Sequence, residues 1–340
     1  MKRRMAVRIL VTMTAALILA IAPGAANGQN LGRSIKVQRL EFPVSLSTGP
    51  ATVVGYLYYH GSYENRPLQV LVHGATYNHT YWDFPTVNGE TYSYARYMAA
   101  QKYAVLALDL PGTGESSKPS GAELRLPEIG SSIRQVIDSM RSGVNPVDHQ
   151  FDSIVLVGHS SGAIAATFVQ ANWHSADALV VTASRHLVGD VLGLPVTQAI
   201  LPQLFQLVAA FQGSPYFPLP DFARTGLFYY PPAADTDVIA RDNATADQWT
   251  NGQLLTTFFA FLDPRIDQPN LVTAPVLIQL GTNDVLFPAD LPAIERALWV
   301  GTSPEIQTLS GIGHDFNLHR NHEAGWRGID SWIRQNVSPK

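Results

Sequence analysis

"IVLVGHSSGAIAATFVQANW" spans Ile154–Trp173, and its reading decides the fold. The first residues, "IVLV", are apolar without alternation, the pattern of a strand buried on both faces. The last part, "AIAATFVQANW" (163–173), reads as a helix. Between them stands "GHSSG" (158–162), with Ser160 held between Gly158 and Gly162. A tight strand-to-helix turn needs little bulk on either side, which accounts for the two glycines. Such a turn lifts a serine hydroxyl above the strand ends and aims a helix N-terminus at it. A hydroxyl is a poor nucleophile unless a base takes its proton. The question is whether a base and its orienting acid occur at strand ends elsewhere.

Working outward, the same kind of run recurs. "LQVLVHG" (68–74), "YAVLALDLPG" (103–112), "ALVVTAS" (178–184), "PVLIQLGTND" (275–284) and "EIQTLSGIGHD" (305–315) read as strands. Helical patterns alternate with them at 91–102, 131–143 (amphipathic and ending at Gly143), 290–298 and 323–337. "SIKVQRLEFPV" (34–44) and "TVVGYLYYH" (52–60) read as an opening antiparallel pair joined through "STGPA". This alternation predicts an α/β fold with a doubly wound, mostly parallel sheet. Residues 185–271 break it. A structureless loop of that length is improbable in a compact domain. "ILPQLFQLVAAFQ" (200–212) and "GQLLTTFFAFL" (252–262) have helical patterns, and "SPYFPLPDF" and "GLFYYPP" are rich in aromatics and proline. The segment is therefore read as a mainly helical cap insertion, with 29–184 plus 272–340 as the core.

The N-terminus has its own logic. Lys2, Arg3, Arg4 and Arg8 precede an apolar run from Ile9 to Ala22, followed by "PGAANGQN". That is the three-part pattern of a secretory signal peptide, here residues 1–28. A membrane anchor is the alternative, but the run is short and no basic stop-transfer cluster follows it. The expectation is a secreted or periplasmic protein with no stable membrane span after cleavage. The first 28 residues hold four basic and no acidic groups, so their removal takes the formal charge from −4 to −8. An acidic surface offers no footprint for nucleic acid. The chain has no cysteine, so it has no disulfide and no lipoprotein anchor. Composition leaves the oligomeric state open.

A base and an acid are present. "GTND" brings Asp284 to one strand end and "GIGHD" brings His314 to another. Ser160, Asp284 and His314 follow the Ser…acid…His order of hydrolases built on a nucleophile elbow. With "HGATYNHTYW" (73–82), "LDLPGTGESS" (108–117), "GHSSG", "GTND" and "GIGH" in that order, the chain resembles the α/β-hydrolase fold family of serine hydrolases over nearly all of its mature length. The resemblance implies an oxyanion hole made by the backbone N–H groups of Ala75, after His73-Gly74, and of Ser161.

Other residues carry blander readings beside functional ones. "PGTGES" has a Gly-x-Gly but lacks the third glycine of a dinucleotide fingerprint, so Asp109, Gly112 and Gly114 read as a structural turn. His73 reads as a loop buttress. Tyr77, Trp82, His159, Phe228 and Phe287 are candidates to line a substrate pocket, with packing as the alternative. So are Phe205, Phe211, Tyr229 and Tyr230. His319 and His322 read as a solvated loop and a helix start. Asp290 and Asp315 rival Asp284; Asp290 resembles a helix N-cap, and Asp315 is too close to His314 in the chain to bond its ring. Asn78 and Asn243 match the glycosylation sequon. No Cys/His cluster points to a metal site, and no cofactor is expected.

These readings predict a secreted serine hydrolase for a small or medium, apolar ester or similar acyl bond. The alternative with the same three residues is a cofactor-free haloperoxidase or perhydrolase. A lactonase, amidase or C–C bond hydrolase ranks lower. A non-catalytic binding protein ranks last, because such proteins typically lose one of the three residues.

Overall fold

Ile154–His159 pairs in parallel with a strand on each side, and this places Ser160 above the middle of a wide sheet. The computed structural model describes residues 35–186, 190, 191, 194, 195, 214–290 and 292–337. The signal segment (1–28) and the helix expected at 200–212, with Phe205 and Phe211, lie outside the described residues.

The sheet has eight strands: β1 (Ile35–Leu46), β2 (Gly49–His60), β3 (Leu68–Val72), β4 (Ala104–Asp109), β5 (Ile154–His159), β6 (Ala178–Thr182), β7 (Val276–Gly281) and β8 (Glu305–Leu309). Their order is β1-β2-β4-β3-β5-β6-β7-β8. The two pairings made by β2 are antiparallel and all the others in this sheet are parallel. β3 to β7 are buried at every position, as continuous apolar runs require. At the edge, β1 buries Leu40, Phe42, Val44 and Leu46 and exposes the residues between them. The turn between β1 and β2 is tighter than "STGPA" implied. Leu46 pairs directly with Gly49, whose φ of 122° lets the second strand begin there.

The helices are α1 (Tyr94–Ala100), α2 (Leu126–Ser142), α3 (Ser161–Trp173), α4 (Asp221–Phe228), α5 (Thr236–Ala244), α6 (Asn251–Leu262), α7 (Pro292–Leu298) and α8 (Glu323–Asn336). α2 starts five residues before the expected Ser131 because Pro127 suits a first helical turn, and it stops at Gly143, which takes φ 82°. Leu126, Ile133 and Ile137 of α2, with Ala163, Ile164 and Ala166 of α3, belong to one apolar cluster. Tyr94 and Met98 of α1, with Ile329 and Trp332 of α8, belong to another. β3 feeds both: Leu68, Val70 and Val72 join the first and Leu71 the second, as strand alternation dictates. The described part of 185–271 holds α4, α5, α6 and two short antiparallel pairs, 190–191 with 194–195 and 216–217 with 249–250. No helix among the described residues is long and apolar enough to cross a membrane.

β7 and β8 end sooner than their apolar patterns suggested. β7 stops at Gly281 and β8 at Leu309, so Asp284 and His314 stand in the loops just beyond them. Both loops, and the turn at Ser160, are at the C-terminal edge of the parallel strands, where open α/β sheets bind ligands.

Candidate active site

Ser160 adopts φ 53° and ψ −123°, a backbone conformation costly for a residue with a side chain. Its neighbours hold it there. The Ser160 N–H donates to the Thr182 carbonyl at 2.9 Å, and the Ala163 N–H donates to the Ser160 carbonyl at 2.9 Å. The flanking glycines are required by close approach. A Cβ on Gly158 would lie 2.5 Å from the Ala163 Cα, and one on Gly162 would lie 2.3 Å from the His73 carbonyl oxygen. Gly74 is pressed against the serine: a Cβ there would meet the Ser160 Cβ at 3.1 Å.

His314 joins Ser160 to Asp284. Its Nε2 is 2.8 Å from the Ser160 Oγ and its Nδ1 is 2.9 Å from the Asp284 Oδ2. A carboxylate can only accept, so Nδ1 carries the ring proton and Nε2 is free to accept from the serine hydroxyl. The other Asp284 oxygen accepts the N–H groups of Leu286 (2.8 Å) and Phe287 (3.0 Å), which fixes the carboxylate plane. All three side chains are buried. Residues 154 and 30 positions apart in sequence thus form one hydrogen-bonded line.

The Ala75 and Ser161 N–H groups meet no backbone or side-chain acceptor among the described residues. Ser161 is the first residue of α3, where N–H groups have no intrahelical partner. Ala75 follows Gly74, the residue pressed against the serine. His73 braces this loop. Its Nε2 accepts the Leu110 N–H at 3.2 Å, and its Nδ1 donates to the Gly74 carbonyl at 2.8 Å.

Residues 69–324 match the family model described as "Alpha/beta hydrolase family". The chain belongs to the alpha/beta hydrolase family. Solved structures with a similar fold include an esterase from Thermogutta terrifontis (TM-score 0.63, 15% identity, 88% of this chain and 100% of that one). Another is an esterase from Exiguobacterium antarcticum (0.62, 16%, 86% and 98%). A third is a monoacylglycerol lipase from Paleococcus ferrophilus (0.59, 16%, 89% and 100%). No curated protein matches the sequence significantly.

In this alpha/beta hydrolase the pocket candidates separate into two groups. Phe228 and Phe287 flank the His314 ring, with ring centroids 5.3 and 5.5 Å from it. Tyr77 lies 6.0 Å from Phe228. Trp82 and His159 lie deeper. Trp82 is 1% exposed and packs against Tyr81 and Tyr94, so its position is one of core packing. His159 is fully buried and stacks on Tyr81 at 4.3 Å, which places it behind His314 and not on an open cleft. Trp82 follows a single short turn, where no periodicity signals depth, and His159 is the last residue of the buried strand β5. A cavity of about 90 Å³ near Asn65, Arg66, His149 and Asp152 is at the opposite, N-terminal end of β3 and β5, away from Ser160.

Asp290 accepts from Arg185 at 3.0 Å, and Asp315 faces Tyr77; the structure brings neither to His314. Asp109 accepts from the His79 ring and from the N–H groups of His79 and Glu115, within a turn where Gly112 and Gly114 both have positive φ. His319 and His322 are buried, not solvated, because their Nδ1 atoms donate to the Asp315 and His319 carbonyls at 2.7 and 2.6 Å and fold the segment inward. Both sequon asparagines spend their amides inside the protein, Asn78 on Asp247 (3.1 Å) and Asn243 on Thr225 (3.0 Å), which opposes glycan attachment.

Sequence reasoning missed one buried network. Arg224 of α4 donates to Asp242 of α5 at 2.6 Å, to Asn243 at 3.2 Å and to Thr76. The Tyr229 hydroxyl donates to Asp242 at 2.8 Å. The Tyr77 hydroxyl lies between Asp242 (3.1 Å) and Asp315 (2.6 Å). One hydroxyl proton cannot serve two carboxylates, so one acid must hold a proton of its own. Burial, and then the Asp242 charge, pushes the Asp315 carboxyl up to about 7. Arg224 neutralises Asp242, which makes Asp315 the protonated partner. No motif signals this set, because its members come from four separate segments.

Proposed function

We propose that this protein is a serine hydrolase of carboxylic esters. Ser160 attacks the carbonyl carbon as His314 Nε2 takes the hydroxyl proton. Asp284 holds the imidazole tautomer and stabilises its charged form. The Ala75 and Ser161 N–H groups receive the oxyanion. His314 returns the proton to the leaving alcohol, then activates water to release the acid. The single observation carrying this reading is the continuous line Asp284–His314–Ser160, with contacts of 2.9 and 2.8 Å. The names of the similar structures, two esterases and a monoacylglycerol lipase, point to the same bond.

The substrate is proposed to be small or medium and apolar, because Phe228 and Phe287 stand over His314. Residues 185–271 serve as the cap over it. Export through the N-terminal 28 residues completes the proposal. The test is labelling of the intact protein by a fluorophosphonate, followed by a chain-length panel of aryl esters beside lactones and amides. Labelling and ester turnover are expected, and both are lost in Ser160→Ala. An unlabelled wild-type protein, under conditions where a known esterase reacts, refutes the nucleophile.

A further inference from the structure

His322 is a buried histidine with an unused nitrogen. It is 1% exposed. Its Nδ1 lies 2.6 Å from the His319 carbonyl oxygen, which only accepts, so Nδ1 carries the ring proton. Nε2 then presents a lone pair, and no described group donates to it. What faces the ring is a set of acceptors, the Thr91 backbone carbonyl among them. Glu90 Oε1 lies 3.9 Å away, and the ligand atoms of Glu90, His322 and Glu323 all fall within 4.8 Å of one another. The two acids arrive from different segments: Glu90 from the Val87–Glu90 bridge ahead of α1, Glu323 from the first turn of α8. Both are exposed at the surface, so an ion can reach the buried nitrogen from solvent. Arg327 pairs with one Glu323 oxygen at 2.7 Å and leaves the second oxygen and the whole Glu90 carboxylate to the cluster.

We propose that Glu90, His322 and Glu323 bind a zinc-type divalent cation. Two carboxylates and an imidazole lone pair converge there, and Arg327 offsets only the Glu323 charge. One imidazole nitrogen and two carboxylates suit zinc, with water as a fourth ligand. Bonds of about 2.0–2.2 Å place tetrahedral donors roughly 3.4 Å apart. Glu90, 3.9 Å from Nε2, must close by about half an ångström, and the wider spacings, up to 4.8 Å, require Glu323 to move as well; both are exposed side chains. The His319 carbonyl that orients Nδ1–H is the kind of outer partner that metal-bound imidazoles use. Calcium and magnesium are disfavoured because they take oxygen ligands. His322 also borders a cavity of about 10 Å³, room for at most about one water, which is the rival way to satisfy Nε2.

The cation would clip the 87–90 turn to the start of α8. It would also brace the segment behind His314, since His322 holds the His319 carbonyl and His319 Nε2 accepts the Gly313 N–H at 3.2 Å. None of this depends on the reaction assigned to Ser160.

The test uses full-length protein freed of metal by chelation and desalting, then titrated with zinc chloride against a chromogenic zinc indicator. One equivalent is expected to bind, and Tm is expected to rise with free zinc, because the ion binds the folded state preferentially. Glu90→Gln, a surface change, should weaken that binding by roughly tenfold or more and remove the Tm response. Glu323→Gln should do the same, which covers the case in which one variant misfolds. The proposal is overturned if wild type binds no more zinc than the double Glu90→Gln/Glu323→Gln variant, the outcome expected of a bridging water. It is equally overturned if calcium chloride raises Tm as zinc does.

Discussion

Arg224 donates to the hydroxyl of Thr76, the residue that follows Ala75 in the chain. A guanidinium from α4 thus holds the loop that carries Ala75, proposed to supply one oxyanion N–H. The same side chain is fully buried and neutralises Asp242 at 2.6 Å. Its ring neighbours are Tyr77, at 4.6 Å, and Phe228, at 5.3 Å. Removing one partner of a buried pair strands the other charge, at a cost of about 3–5 kcal/mol. Arg224→Met is therefore expected to lower Tm sharply and to reduce kcat more than it changes KM, since Thr76 is released. Adding Asp242→Asn, which removes the stranded charge but keeps an acceptor for Tyr229, should recover part of the stability. Thermal melts of both variants that coincide with wild type would disprove the coupling.

Asp284 tests the role of the acid separately from the fold. Both its oxygens are used, one by His314 and the other by the Leu286 and Phe287 N–H groups. Asp284→Asn keeps the shape but lets the amide donate to Nδ1, which favours the wrong tautomer. A fall in kcat on the order of 10⁴ is expected with little change in KM. Steady-state hydrolysis of an aryl ester measures it, and a fall of less than about tenfold would remove Asp284 from the mechanism.

Gly162→Ala is expected to damage the site through the backbone. The added Cβ would sit 2.3 Å from the His73 carbonyl oxygen and 2.5 Å from that of Val72. The Val72 carbonyl is not free to move, because Val72 ends β3, which lies between β4 and β5. Either α3 or the 73–75 loop must shift, and each carries one of the two N–H groups proposed to receive the oxyanion. Esterase activity should fall by roughly 10² or more, the cost of losing an oxyanion donor. Gly226→Ala, where a Cβ meets nothing, is the control.

What the sequence made legible followed from local rules. Ser160 could be found because a tight strand-to-helix turn demands glycines at fixed offsets. Asp284 and His314 could be found because apolar runs announce the strands they follow. The ends of those runs were misplaced by a few residues, since "GTND" and "GIGHD" contain no charge before Asp284 and His314. Trp82 and His159 were legible as aromatics near the site but not as buried ones, because Trp82 lies on a loop without periodicity and His159 sits at the last position of β5, where the strand gives way to the turn. The Arg224 network was invisible: Arg224 and Thr76 are 148 residues apart. Arg224 and Asp242 each sit on a short helix where a single charge reads as solvated surface. His322 failed for the same reason, as its burial comes from His319 folding back beneath it.

His319 sets an acid limit on the fold. Its Nε2 accepts the N–H groups of Tyr230 and Gly313, at 3.0 and 3.2 Å, which a protonated ring cannot do. Burial pulls it down to about 4 from an ordinary value of 6.5. The folded protein therefore resists a proton that the unfolded chain accepts below pH 6.5. The stability contributed by neutral His319 is complete above pH 6.5 and is lost as pH falls toward 4, at about 1.4 kcal/mol per unit. Burial also lowers His73, His159 and His322, which adds to this slope. Asp315 opposes it, since an acid raised to about 7 favours the folded state at low pH and loses that advantage as pH rises through 7. His319→Gln isolates the one contribution, because glutamine can accept an N–H and does not titrate in this range. Urea unfolding at pH 6.5, 5.5 and 4.5 should show a shallower loss of stability in the variant, by on the order of 2 kcal/mol across that span. Parallel pH dependences for variant and wild type would mean that His319 is not held neutral by its two N–H partners.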